Sequence, residues 1–208
     1  ARAVMRKKGW RKDEILAAAA ECFMRHGYRA TTVDDVAAQL NCTKGRIYHY
    51  YASKTDLFFD VHREGMDRLF SALAPAMQVE GDGLAVLEAM CLAHAETMLE
   101  HHTFENVVAQ GVHMHRFDGA SPEHRAAVQA LIDSRDRFEG HFKSAIRRAI
   151  DDGSLRDVDP AVTAKVILGA LQWTIYWYRP TEADIARTRA ALARKLVDPL
   201  IKGLQPRA

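Results

Sequence analysis

The chain has 208 residues, 48 % of them hydrophobic, enough for a sizeable core in one large or two small domains. A formal net charge of +2 excludes neither nucleic acid nor neutral partners, but its distribution is uneven. Residues 1–60 hold 11 Lys and Arg against 7 Asp and Glu, and residues 1–12 carry Arg2, Arg6, Lys7, Lys8, Arg11 and Lys12 with no acid.

Strand signals are nearly absent, and the expected fold class is all-α. From Lys12, Ile15, Ala18, Ala19, Cys22 and Phe23 follow a helical stripe that Gly27 stops. Val33, Val36, Ala37 and Leu40 form a second stripe, with Thr32 as N-cap and Asp35 completing a capping box. Asn41 suits the left-handed turn that follows. Thr43 is read as capping a third helix and Ser53 a fourth, which runs to about Met77. Further helices are expected over about 83–101, 103–117, 122–152, 159–178 and 182–204, with Asp159-Pro160 as an N-cap followed by proline.

The stretch "GRIYHYYASK", residues 45–54, crowds tyrosine, histidine and cations into ten positions. Such side chains are poor core material, because each buried hydroxyl or imidazole needs a partner. Residues 33–50 read as two helices of about eight residues joined by a turn of three or four, a helix-turn-helix. On a wheel of 100° per residue, Ile47 faces inward, helped by Tyr50, while Lys44, Gly45, Tyr48 and His49 share the outer arc. That face suits the DNA major groove. Lys44 is placed for phosphate or guanine, Tyr48 and His49 for phosphate or base edges, and Gly45 permits close approach. Arg46 reaches a flanking phosphate or guanine, and Lys54 stands after the Ser53 cap, where a helix N-terminus would meet backbone phosphate. The basic arm fits the same polyanion, a solubilising tail being the plainer reading.

The "F-x-x-x-GY-x-x-TTV-x-x-VA" run and the "TKG-x-IYHYY-x-x-K-x-x-L" segment resemble the DNA-binding domain of the TetR family of bacterial transcriptional regulators. One departure is Asn41-Cys42, where the family usually has Gly and a small apolar residue. The resemblance implies an all-α homodimer on a palindromic double-stranded DNA operator, probed by residues 1–53. It places Thr32, Thr43, Lys44, Gly45, Tyr48, His49 and Lys54 at DNA-contact positions. Residues 54–208 would then supply dimerisation and a pocket for a small-molecule effector.

The expected pocket lies among the connecting helix and the helices from Gly83 to Arg148. Its candidate lining is Phe59, Met66, Met98, Phe104, Val108, His113, Phe138 and Phe142, joined by Trp173 and Trp177; each taken alone also reads as ordinary core. "VILGALQWTIYWYRP" (166–180) is uncharged until Arg179, so a helix apolar on every side needs cover on more than one face. Its own bundle would cover one side and a partner subunit the other, with Ile185, Leu192, Leu196, Val197, Leu200 and Ile201 joining in; the alternative is a central helix of a monomeric bundle. The segment around "LQWTIYWYRP" is similar to the branch of TetR-like regulators that includes acyl-CoA-responsive repressors of steroid catabolism. That likeness implies an acyl-CoA effector whose phosphates meet Lys165, Arg179 or Arg116.

Other chemistry is not expected. Cys22, Cys42 and Cys91 are an odd number without CxxC spacing, which argues against a disulfide framework or a zinc knuckle and fits a reducing cytosol. His113 and His115 are two apart on a helix and point to different sides, so neither they nor His101 and His102 read as a metal site. No GxSxG, HExxH, P-loop or dinucleotide fingerprint occurs, so neither enzyme nor cofactor is expected. The apolar run 166–178 falls short of the roughly 20 residues that span a bilayer, and no secretion signal opens the chain; a cytoplasmic, membrane-free protein is expected. The rival from another class is an all-α ligand-binding or acyl-CoA-processing protein without sequence-specific DNA binding.

Overall fold

The computed structural model describes residues 12–111, 122–181 and 185–206, all-helical with no strand among them. Helix α1 (Lys12–Ala30) is interrupted at Gly27, whose φ of 75° a side chain would strain. Helix α2 (Val33–Gln39) starts on Thr32 with both bonds of the capping box, and Asn41 takes the left-handed turn at φ 51°. Helix α3 (Lys44–Tyr48) is shorter than the expected eight residues. Thr43 holds its N-cap backbone position, but its hydroxyl makes no cap bond. Helix α4 (Lys54–Ala76) starts on Ser53, whose oxygen accepts from the Asp56 N–H.

The remaining helices are α5 (Gly83–Glu100), α6 (His102–Gly111), α7 (Pro122–Asp151), α8 (Pro160–Gln172), α9 (Thr174–Trp177) and α10 (Ala186–Lys202). The single helix expected over 159–178 is two. The buried Thr174 hydroxyl donates back to the Leu171 carbonyl at 2.8 Å, and the Tyr176 N–H reaches the Trp173 carbonyl three residues back. Both contacts tighten the chain there into a separate last turn.

Two apolar cores meet along α4. The first joins Ile15, Phe23, Val36, Ile47, Leu57 and Phe58; the second joins Met66, Leu73, Met90, Phe142 and Val197. Helix α6 serves both, sending Phe104 and Val107 into the first and Val108 into the second. Asp60, buried at the first core, ties three segments together. It accepts from the Tyr51 hydroxyl at 2.8 Å, pairs with Lys12 at 2.7 Å and with Arg63 one turn away. Burial pushes the Tyr51 hydroxyl up to about 12, so it remains a donor.

Candidate functional site

The outer arc of the helix-turn-helix is as its wheel predicts. Ile47 is buried against the first core while Lys44, Gly45, Tyr48 and His49 are exposed and Arg46 is half-buried. The inner helper is Tyr51 rather than Tyr50. The wheel carried helical phase to residue 50, but α3 ends at Tyr48, so Tyr50 turns outward and Tyr51 inward. Among the described residues Lys44 meets only Asp34, at 3.5 Å between two exposed side chains. Such a pair is worth about 0–1 kcal/mol and yields readily to phosphate.

Gly45 is informative because the fold does not require it. A Cβ there would meet nothing within 4 Å. Gly45→Ala is therefore expected to hold or raise Tm, since alanine is favoured by about 1 kcal/mol inside a helix. Operator affinity should fall nonetheless, and thermal melts beside DNA titrations check both.

Lys54 is engaged within the chain. Its ammonium donates to the carbonyls of Tyr28 at 2.9 Å, Thr31 at 2.8 Å and Arg29 at 3.3 Å, and lies over the Tyr28 ring. All three of its donors close the end of α1. Lys54→Met should lower stability by roughly 1–3 kcal/mol, read by denaturant melts, because charged hydrogen bonds to those carbonyls are lost. Thr32 is likewise engaged: its hydroxyl donates to Asp35 at 2.7 Å, although the residue is exposed.

A cavity of about 510 Å³ lies among α4, α5, α6, α7 and α8. Of the residues expected there, Met66, Met98, Val108 and Phe138 line it. Phe59 lies on the stripe of Met66 but two turns, about 10 Å, toward the first core, to which it belongs. Phe104 also joins the first core, under the Arg68 guanidinium at 4.0 Å from its ring. Phe142 packs behind Phe138 and His94 in the second core. Trp173, between α8 and α9, and Trp177, the last residue of α9, face outward rather than into the cavity. His113 and Arg116 lie outside the described residues. Lys165 lines the cavity and pairs with Glu139 at 2.7 Å, whereas Arg179 donates to the Tyr178 carbonyl.

Sequence reasoning missed His94, Glu105 and Arg135 in the lining. Burial holds the His94 imidazole down at about 4 and raises the Glu105 carboxyl well above the carboxylate range, with Arg68 opposing the latter. Next to the cavity, burial and then Arg135 hold His62 at about 4. Below the ordinary 6.5, the unfolded chain gains protons that folded His62 and His94 refuse, so these two groups lower stability from pH 6.5 down to about 4. Glu105 acts oppositely, its burial costing more as pH rises above 4.5. His94→Leu should therefore lose less Tm than the parent on acidification from pH 6.5 to 4.5.

Residues 15–61 match the family of bacterial regulatory proteins described as tetR, and residues 80–204 match the tetracyclin repressor-like C-terminal domain. The chain belongs to the TetR family and is a DNA-binding transcriptional regulator. It is similar to the HTH-type transcriptional repressor KstR2 of Mycobacterium tuberculosis, with 29 % identity over 175 residues covering 82 % of each. The crystal structure of the TetR-family regulator PfmR from Thermus thermophilus superposes with a TM-score of 0.76 at 30 % identity, over 95 % of this chain and 99 % of that one. AibR, crystallised with isovaleryl coenzyme A and operator DNA, shares the fold at a TM-score of 0.71 and 23 % identity, over 94 % of this chain and 98 % of its own. No described helix is long and apolar enough to cross a membrane, and no described cluster of His, Cys, Asp or Glu could hold a metal ion.

Proposed function

We propose that the protein is a cytoplasmic homodimeric repressor that binds a palindromic operator and releases it on binding a hydrophobic acyl-CoA thioester, without turnover. Residues 1–53 form the DNA-reading unit and residues 54–208 the effector and dimer unit, with α4 shared between their cores. Thr32, Thr43, Lys44, Gly45, Arg46, Tyr48 and His49 face the duplex, and two α3 helices enter successive major grooves about 34–36 Å apart.

The observation that carries the reading is the double attachment of α6. It lines the cavity through Glu105, Val108 and Gly111, and it holds α1 through the Gln110 amide, which donates to the Phe23 carbonyl at 2.9 Å. On α4, Gly65 is pressed so closely that a Cβ would lie 2.5 Å from Val108. An effector that fills the cavity acts on α6, and through α6 on both α1 and α4. It shifts the equilibrium only by its differential affinity for the two spacings of the recognition helices. The thioester class is supported by apolar lining beside cationic Lys165 and Arg135, and by the fold shared with AibR.

A gel-shift titration on the promoter fragment beside the protein's own gene tests this. Retention at low salt that decanoyl-CoA abolishes and free decanoate does not is the expected result. No retention would favour a ligand-binding protein without sequence-specific DNA binding, and retention indifferent to every CoA ester would remove the thioester.

A further inference from the structure

The charges that line the cavity sit along one seam of it. Arg135, Asp136 and Glu139 of α7 and Lys165 of α8 lie there, while Met66, Met98 and Val108 supply apolar wall from α4, α5 and α6. Glu105, also in the lining, is kept uncharged by its burial. The seam is where the cavity meets solvent: Asp136, Lys165 and Gly169 are exposed, whereas Met66, Met98 and Val108 are buried. A Cβ on Gly169 would meet nothing within 4 Å, so no packing closes the wall at that point.

The two cations at this mouth are not equivalent. Lys165 gives its ammonium to both carboxylate oxygens of Glu139, at 2.7 and 2.9 Å, and Lys143 meets the same carboxylate at 2.6 Å. Burial pushes the Glu139 carboxyl up, but the two lysines more than reverse this, so it stays ionised. Arg135 stands one turn before Glu139 on α7 and is half-buried. No described residue hydrogen-bonds or ion-pairs with its guanidinium, although it lines the same cavity. Burial disfavours its charge, yet an arginine keeps its proton in a protein. A partly desolvated cation without a counter-ion is costly. Its planar fork fits a carboxylate or phosphate with two parallel bonds, which a lysine ammonium cannot match. A ligand with an apolar body against Met66 and Met98 and an oxyanion on Arg135 satisfies both halves of the cavity. Glu139 opposes that anion from one turn away and keeps Lys165 occupied.

We propose that Arg135 is the anion-selecting residue of this cavity, binding a phosphate or carboxylate carried by an apolar body against the restraint of the Glu139–Lys165 pair. The proposal rests on reading the cavity as the effector site and separates two cations that the effector reading treats alike.

The test uses the full-length protein and two pairs of probes, each titrated by displacement of a fluorescent apolar dye. Decanoyl-CoA is set against the N-acetylcysteamine thioester of decanoate, which lacks every phosphate, and decanoate is set against decanol. In at least one pair the anion should bind at least about 10-fold tighter than its neutral counterpart, as charged hydrogen bonds of this kind provide. The thioester pair showing it identifies phosphate as the partner of Arg135, and the other pair identifies carboxylate. The preference should shrink to within about twofold in Arg135→Met and survive in part in Arg135→Lys, which keeps the charge without the fork. Glu139→Gln should widen it, because Lys165 is released and an opposing charge is removed; a merely structural role for Glu139 gives the opposite sign. Melting curves establish that the variants fold, and Arg135→Lys alone carries the test if Arg135→Met does not. Equal affinities within both pairs, no binding of any probe, a preference undiminished in the Arg135 variants, or a preference narrowed by Glu139→Gln would overturn the proposal. Promoter release by decanoyl-CoA that is unaltered in the Arg135 variants would remove this inference and leave the regulator intact. Anion preference that depends on Arg135, without release by any CoA ester, would do the reverse.

Discussion

Replacing Trp173 and Trp177 together by glutamate should convert the protein to monomers and abolish operator binding while leaving the helical content unchanged. In the single chain Trp173 is 60 % exposed, Tyr176 59 % and Trp177 45 %, and Val162, Val166 and Ile185 are exposed as well. Solvent is a poor neighbour for so many large apolar groups, and contiguous patches of this kind mark interaction sites. A two-fold symmetric contact uses the same patch on both subunits. An aromatic side chain of this size offers 150–250 Å², and covering roughly 100 Å² of each tryptophan is worth about 2–3 kcal/mol. Symmetry doubles the number, and four buried carboxylates would replace the gain by a desolvation cost. Sedimentation velocity decides the matter: a monomer is the expected species, and an unchanged dimer would place the interface elsewhere. The fold should survive because neither tryptophan belongs to a core.

Tyr48→Ala should weaken operator binding by about 1–3 kcal/mol, roughly 5- to 150-fold, with dimerisation and Tm unchanged. Tyr48 is 48 % exposed, so its removal opens no cavity. Tyr48 stands on the exposed face shared by Lys44, Gly45 and His49, and no described residue bonds its hydroxyl. Tyr51→Phe gives the contrasting result. It removes the hydroxyl bonded to Asp60 and should lower stability instead. Fluorescence anisotropy with an operator duplex separates the two tyrosines, and unchanged affinity of Tyr48→Ala would refute the placement of α3.

The helix-turn-helix was legible in the sequence because its determinants are local. The Thr32–Asp35 box, Asn41 in the turn and Ile47 as the inner anchor lie within a few residues of what they control. Legibility ended where α3 ended: two residues of lost helical phase exchanged the roles of Tyr50 and Tyr51. The carbonyl partners of Lys54 were hidden for a different reason. Its partners are the carbonyls of Tyr28, Arg29 and Thr31, more than 20 residues away, and only the folded end of α1 brings them near. The cavity was half legible. Met66, Met98, Val108 and Phe138 fall on helix stripes that face inward, so periodicity finds them. Glu105 reads as an ordinary acid in the first turn of a helix, and its burial arises because α6 is covered on two sides at once. No local pattern carries that information. The exposed aromatics of α8 and α9 were recognised as surplus to one bundle, but not that Trp173 and Trp177 both leave the cavity to the other helices.

The regulator reading depends most on which groove α3 enters, and dimethyl sulfate protection of guanine N7 reports the major groove directly. On a palindromic promoter fragment, protected guanines should appear in both half-sites, vanish in Tyr48→Ala at the same protein concentration, and vanish in the parent protein when decanoyl-CoA is added. Protein bound to the fragment with every guanine N7 still reactive would contradict the account.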